Sequence, residues 1–185
     1  MPFDHFDFIA GWYNRAAPFI PSERMLEWLA LSREQSLLDA GGGTGRVAQA
    51  LSRNVRKTVV VDLSLGMLHH AAEKGLASVR SAVESLPFRS GTFDRIVMVD
   101  AFHHVLDQRR TAKELWRVLA PGGRLLILEP DIHQFAVRGL ALGEKLLLMR
   151  SHFLSGEQIA ELFENQSGRC RVNYYERSVF IVYEK

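Results

Sequence analysis

Residues 37–51 read LLDAGGGTGRVAQAL, with glycine at 41, 42, 43 and 45. Glycine gives up more conformational freedom on ordering than any other residue. A cluster this dense, set between an apolar run and a helix-like pattern, therefore needs a reason. A strand, a glycine-rich turn and a helix together make a ligand site. The glycines let backbone approach a bound molecule, and the helix N-terminus offers unpaired N–H groups. In open α/β sheets such sites lie beyond the carboxyl ends of the strands. Asp39 stands just ahead of the turn, where it either caps the first turn or meets the ligand.

Working outward, residues 36–40 read as a short buried strand and residues 46–53 as a helix. A valine-rich strand is expected over 57–64. A helix follows over 64–75, with Ser64 as its N-cap and Gly75 as its stop. Residues 77–83 read as a third strand and 93–101 as a fourth. Ala112, Leu115, Trp116 and Leu119 fall at helical spacing within 108–120. Pro121-Gly122-Gly123 breaks that helix before a fifth strand over 124–130. Strand alternating with helix implies a parallel sheet with helices on both faces, and the continuously apolar strands agree.

The flanks differ from this core. Residues 21–31 read as a helix with Pro21 near its start. Residues 135–149 read as helical. Ser155 three residues before Gln158 is a capping-box pattern opening a helix over 155–166. Residues 169–185 read as two strands around a tight turn, an antiparallel hairpin ending the sheet. The expected class is thus α/β, a Rossmann-like parallel sheet with a C-terminal antiparallel hairpin, built as one domain over 1–185. Its parts are an N-terminal helical cap segment (1–35), a core (36–130), a lid (131–153), and a helix with the terminal hairpin (154–185). The 131–153 stretch mixes leucines with Arg138, Lys145, Arg150 and His152. That mix suits either a cover over a small apolar molecule or a core-facing helix with a basic outer face.

The chain has 185 residues, 47% hydrophobic and 24% charged, with a formal net charge of +2. This is ordinary globular composition, and the basic surplus is too small to indicate nucleic acid. Cys170 is the only cysteine, so no intrachain disulfide is expected and no cysteine cluster marks structural zinc. A reducing cytoplasm fits. The N-terminal stretch MPFDHFDFIAGWYNR carries acids where a signal peptide would be basic. No run of 18 apolar residues is present, so no membrane span is expected. The pairs His5/Asp7 and Asp131/His133 do not make a ligand set, and no metal is expected.

The glycine turn discriminates among nucleotide-type ligands. A P-loop needs Lys-Ser/Thr after its last glycine, but Arg46-Val47 follows Gly45. A dinucleotide turn needs Gly-x-Gly-x-x-Gly, and from Gly41 the last position is Arg46, while from Gly42 the second falls on Thr44. What remains is Asp39-x-Gly41-x-Gly43-x-Gly45. With Asp62 ending the second strand, SLPF at 85–88, FDRIVMVDAFHHV at 93–105 and ELWRVLAPGGRLLILEP at 114–130, the sequence resembles the class I S-adenosylmethionine-dependent methyltransferases. The nearest flavour is the small-molecule branch that includes the ubiquinone and menaquinone C-methyltransferases. The resemblance covers residues 36–130 and implies the seven-strand fold of that class.

The resemblance also implies roles. Asp39, Gly41, Gly43 and Gly45 would surround the methionine part of S-adenosylmethionine, and Asp62 would hold its ribose. Leu63 and Met67 would pack near the adenine, with Ala82, Val83 and Glu84 along its edge. Asp100 and Ala101 would lie near the reacting sulfur, and Tyr13 would fold over the cofactor. His103 and His104, on the rim after the fourth strand, are candidate bases, since neutral imidazole takes up protons near pH 7. Ala82 departs from the family, which often has an acid there to accept from the adenine amino group; Glu84 is the nearest substitute. Simpler readings stand beside these: Asp62 capping the next helix, Met67 in the core, one histidine merely packed.

The expected activity is methyl transfer to a small-molecule acceptor, with S-adenosylhomocysteine as product and no nucleic-acid partner. The alternatives are a sensor or accessory subunit that binds the cofactor without turnover, and a protein or RNA methyltransferase.

Overall fold

Seven strands lie in one sheet in the order β3-β2-β1-β4-β5-β7-β6. The computed structural model describes residues 19–134 and 152–185. The strands are β1 (Ser36–Ala40), β2 (Lys57–Asp62), β3 (Ala77–Arg80), β4 (Phe93–Val99), β5 (Leu119–Pro130), β6 (Arg169–Tyr175) and β7 (Ser178–Glu184). The first five pair in parallel, and β7 pairs antiparallel with both β5 and β6. The expected parallel core with a terminal hairpin is the fold observed.

The described helices are α1 (Glu23–Leu29), α2 (Arg46–Leu51), α3 (Leu65–Glu73), α4 (Gln108–Val118) and α5 (Gly156–Glu161). Their starts follow from local chemistry. Ser22, Ser64 and Asp107 cap α1, α3 and α4 by accepting Met25, Met67 and Arg110 N–H groups. At α5 the predicted box forms in full, with Ser155 and Gln158 each accepting the other's backbone N–H.

Alternate strand residues point to opposite faces, and both faces are covered. Leu38, Ala40, Ile96, Met98, Leu125 and Ile127 pack with Leu115, Trp116, Ile159 and Phe163 of the α4–α5 side. Leu37, Val97 and Leu126 pack with Met25, Leu29 and Leu51 of the α1–α2 side. All five residues of β1 are buried, which is why only Ser36 and Asp39 in it are polar.

Some boundaries move. Residues 52–54 turn as a 3-10 segment rather than extending α2. β3 stops at Arg80, and Val83–Ser85 form a 3-10 turn of their own. The α5 helix ends at Glu161, short of the expected 166. Pro121-Gly122-Gly123 does not precede β5 but sits inside it: Leu119 already pairs with Phe93, and the register shifts before Arg124 pairs with Arg95. The excursion is held because Gly122 N donates to Lys185 O and Lys185 N to Gly123 O, so Lys185 supplies the missing ladder bonds. Residues 1–18 of the expected cap segment, Tyr13 among them, and residues 135–151 of the expected lid, with the 135–149 helix, lie outside the described residues.

Two polar anchors tie the layers. Asp94 Oδ2 accepts both the N–H and the hydroxyl of Ser36 at 2.8 Å, locking β4 to β1. Arg95, 7% exposed, donates to Leu29 O and Ala30 O. A buried cation on the last carbonyls of α1 satisfies groups that the helix leaves unpaired.

Candidate functional site

Strand order reverses at β1: the chain runs outward through β2 and β3, then returns to place β4 on the other side. A cleft open to solvent lies there, beyond the carboxyl ends of β1 and β4. Asp39, Gly41 and Gly43 of the first turn line it, with Asp62, Leu63 and Met67 from β2 and α3. Val83, Glu84, Asp100, Ala101 and His104 close the other side.

The turn is shaped by steric limits. Gly41 has φ +67, and a Cβ on it would stand 2.9 Å from the Ala101 Cβ; the close approach of β1 and β4 requires its bare backbone. Gly45, at φ +73, does not line the cavity. A Cβ there would meet Leu76 at 2.5 Å and Ala71 at 3.1 Å, so this glycine lets α2 sit down on α3. Of the four, it is the one that does not line the cavity.

Asp39 is the most constrained group. It is 1% exposed, and its Oδ2 accepts the Ala48 N–H at 2.9 Å. Its Oδ1 has no hydrogen-bond partner among the described residues. Burial pushes its pKa from 3.8 up to about 7, the Ala48 N–H opposing and the Asp62 charge adding to the rise. A buried carboxylate oxygen with no donor costs free energy, and a donor or cation arriving from the cavity would offset that cost.

Asp62 combines the two roles open to it. Its Oδ2 accepts the Gly43 N–H at 2.8 Å and its Oδ1 the Ser64 N–H at 2.9 Å. It thus fixes the glycine turn to β2 and precedes α3 as a brace. Leu63 is 52% exposed at the rim, while Met67 is 3% exposed, so Met67 is both core and cavity wall.

On the far side, Glu84 Oε1 accepts the Leu106 N–H at 2.8 Å. Ala82 does not line the cavity; its neighbours Ser81 and Val83 do, because Ala82 is the residue from which the 3-10 turn departs. Asp100 is left-handed at φ +50. It is exposed to the open cleft, yet the surrounding protein and the Glu129 charge push its pKa up to about 6.

The two histidines part ways. His104 faces the cavity, and burial together with His103 pushes its pKa down to about 3. It is neutral at pH 7 and a weak base. His103 is 4% exposed and does not line the cavity. Its Nδ1 meets the buried Glu129 carboxylate, and its ring stacks on Phe153 at 4.2 Å.

The sequence reading missed Phe19, Thr44, Arg46, Val47, Met98, Val99 and Leu106, all of which line the cavity. It also missed Lys74, whose Nζ donates to Thr44 O at 2.7 Å from the far end of α3. Arg46 and Val47 were legible, since the first turn of the helix after a glycine turn must face the ligand; Phe19 and Leu106 had no signal. Among the described lining residues, Asp39, Asp62, Glu84 and Asp100 stand against Arg46, an acid surplus that suits a cationic ligand and disfavours a polyphosphate. Among the described residues no cluster of His, Cys, Asp or Glu could hold a metal, and no helix is long and apolar enough to cross a membrane.

Comparison with known proteins gives this geometry a family. Residues 38–127, which run from β1 into β5, match a family described as "Methyltransferase domain". Over that stretch the chain is similar to the proteins of this methyltransferase family. Among curated relatives, the ubiquinone/menaquinone biosynthesis C-methyltransferase UbiE of Escherichia coli K12 is 37% identical over 108 residues, covering 52% of this chain and 43% of the relative. UbiE of Shigella boydii matches to the same extent. The matched region spans less than half the length of these curated relatives. Among solved structures, a chain in complex with the Haloferax volcanii Trm112 methyltransferase activator superposes with a TM-score of 0.83 at 16% identity, covering 100% of this chain and 99% of that one. An S-adenosylmethionine-dependent methyltransferase from Aquifex aeolicus gives 0.74 at 22% identity, with 98% of each chain covered. These likenesses establish the seven-strand methyltransferase fold.

Proposed function

We propose that the protein transfers a methyl group from S-adenosylmethionine to a small-molecule acceptor. The observation that carries this reading is the buried, unpartnered Asp39 Oδ1 beside a glycine turn with no phosphate-binding lysine. In this reading Asp39 takes the ammonium of the cofactor, with Gly41 and Gly43 giving its methionine part room, and Asp62 takes the ribose hydroxyls. Leu63, Met67 and Val83 pack the adenine, and Glu84 stands nearest the place that Ala82 leaves without an acid. Asp100 and Ala101 border the reacting end. When bound, the cofactor supplies a methyl carbon already activated by a sulfonium.

The chain's own work is then alignment and exclusion of water, and alignment alone contributes about 7 to 11 kcal/mol in favourable cases. Where an acceptor must lose a proton, Asp100, near pH 6, is better matched to take it than His104, near pH 3, because an effective base has a pKa close to the working pH. This departs from the sequence-based candidates His103 and His104. The identity to UbiE over the cofactor-binding half supports a small acceptor.

A second reading, a methyltransferase acting on protein or RNA with an activator subunit, is supported by the likeness along the whole chain to one that assembles with Trm112. Calorimetric titration with S-adenosylmethionine and S-adenosylhomocysteine tests the cofactor. Micromolar binding of either that is lost in Gly43→Val supports the site; a folded chain that binds neither refutes it. Methyl transfer to a panel of phenols, quinols and amines then separates the small-molecule reading from a cofactor-binding sensor. Salt-dependent RNA binding would favour the second reading.

A further inference from the structure

Glu129 is a carboxylate at the end of β5, 3% exposed, and it serves a turn on another strand. Its Oε1 accepts the Ala101 N–H at 3.0 Å and the Phe102 N–H at 2.8 Å. Its Oε2 meets His103 Nδ1. Three consecutive residues thus converge on one side chain: Ala101, the N-cap of the 3-10 turn that follows β4, and Phe102 and His103, its first two residues. The turn needs such a hold. Asp100, which leads into it, is left-handed, a strained conformation for a residue with a Cβ.

The same side chain reaches a third part of the molecule. His103 O accepts the His152 N–H at 2.7 Å, and the His103 ring lies flat on Phe153 with a 15° interplanar angle. Gln108 Nε2 bridges Phe102 O and His152 O. On its other side His103 lies 3.9 Å, centroid to centroid, from His104. His104, Asp100, Ala101 and Val105 are cavity wall, whereas Glu129, His103 and Phe153 are not among the lining residues.

We infer that Glu129 is a positioning residue: acting through its bonds to residues 101–103, it fixes the wall of the cavity after β4 and ties that wall to residues 152–153. This deepens the proposed function and rests on it for its catalytic meaning. The positioning itself is a property of the free protein. Reach matters more than charge here. A carboxamide can still accept from both backbone N–H groups, and it can donate to the other tautomer of His103. An aspartate keeps the charge but is one methylene short.

The test compares the full chain with Glu129→Gln and Glu129→Asp by amide hydrogen exchange and by calorimetric titration with S-adenosylhomocysteine. Glu129→Asp is expected to speed exchange at Ala101, Phe102 and His152 by about tenfold, as hydrogen bonds to a charged acceptor are lost, with β1 and β2 amides unchanged. Glu129→Gln is expected to stay within about threefold of wild type at the same amides. The affinity for S-adenosylhomocysteine should follow the same order, with Glu129→Asp weaker and Glu129→Gln near wild type. Wild-type exchange at 101–102 and 152 in Glu129→Asp would overturn the inference. So would equal loosening in both variants, or acceleration spread evenly over the sheet. A wild-type chain that fails to bind S-adenosylhomocysteine would sink the proposed function while the exchange comparison still decides the role of Glu129.

Discussion

The two ends of the cavity are built in different ways. At the β1–β2 end the functional groups come from residues close in sequence: the glycine turn, Asp39 one strand end before it and Asp62 one strand later. They brace one another, Asp62 accepting from Gly43 and Asp39 from Ala48. At the β4 end the exposed wall is supported from far away, by Glu129 on the next strand and by Phe153. One end is made by local chain geometry, the other by tertiary assembly. A local site announces itself as a motif, and an assembled one does not.

The largest effect should come from the glycine that packs rather than binds. Gly45→Val places a branched side chain at φ +73 against Leu76 and Ala71 and is expected to cost about 3 kcal/mol or more in urea unfolding. A cost below about 1 kcal/mol would show that the α2–α3 junction is slack.

Asp39 tests whether the local end stores free energy for a ligand. Its folded pKa, about 7, lies above the ordinary 3.8. Below about pH 4 the group is protonated folded and unfolded alike and contributes nothing. As pH rises from about 4 to about 7 the unfolded chain ionises first, so stability falls, by at most about 4 kcal/mol. Asp39→Asn should flatten that slope and unfold at higher urea than wild type at pH 8, while binding S-adenosylmethionine more weakly. A variant that gains stability and keeps its affinity would separate Asp39 from the ligand.

Asp62→Ala removes the acceptor of two backbone N–H groups and the proposed ribose contact. Affinity for S-adenosylhomocysteine should drop about 30-fold by calorimetry, about 2 kcal/mol. A change under about threefold would make Asp62 a brace only.

The smallest effect is expected at the far wall. His104 should show no titration between pH 5 and 8 by nuclear magnetic resonance, because burial and His103 hold it near pH 3. His104→Gln should change S-adenosylhomocysteine affinity by less than about twofold. A His104 titration near pH 6.5 would restore it as a candidate base.

Legibility followed the same division. The sheet could be read because continuously apolar strands separated by capped helices have few other solutions, and the caps at Ser64 and Ser155 formed as written. The edges of elements moved where tertiary partners decided them. Pro121-Gly122-Gly123 reads locally as a stop, but Lys185 completes its ladder and makes it part of β5. The four glycines look alike in sequence, yet Gly41 and Gly43 face the cavity and Gly45 faces Leu76. His103 and His104 look like a pair, yet only one faces the cavity.

By itself, then, the sequence determined the α/β alternation, the absence of a P-loop and the chemistry at the β1–β2 end. Each of these rests on periodicity or on spacings of a few residues, which covalent geometry converts directly into position. Only the tertiary structure decided which histidine reaches the cavity, how far Asp39 and Asp100 are displaced from ordinary carboxylates, and that Glu129 holds the β4 wall. These depend on burial and on contacts 26 to 28 positions apart, and both exist only once the sheet has brought β4 and β5 side by side.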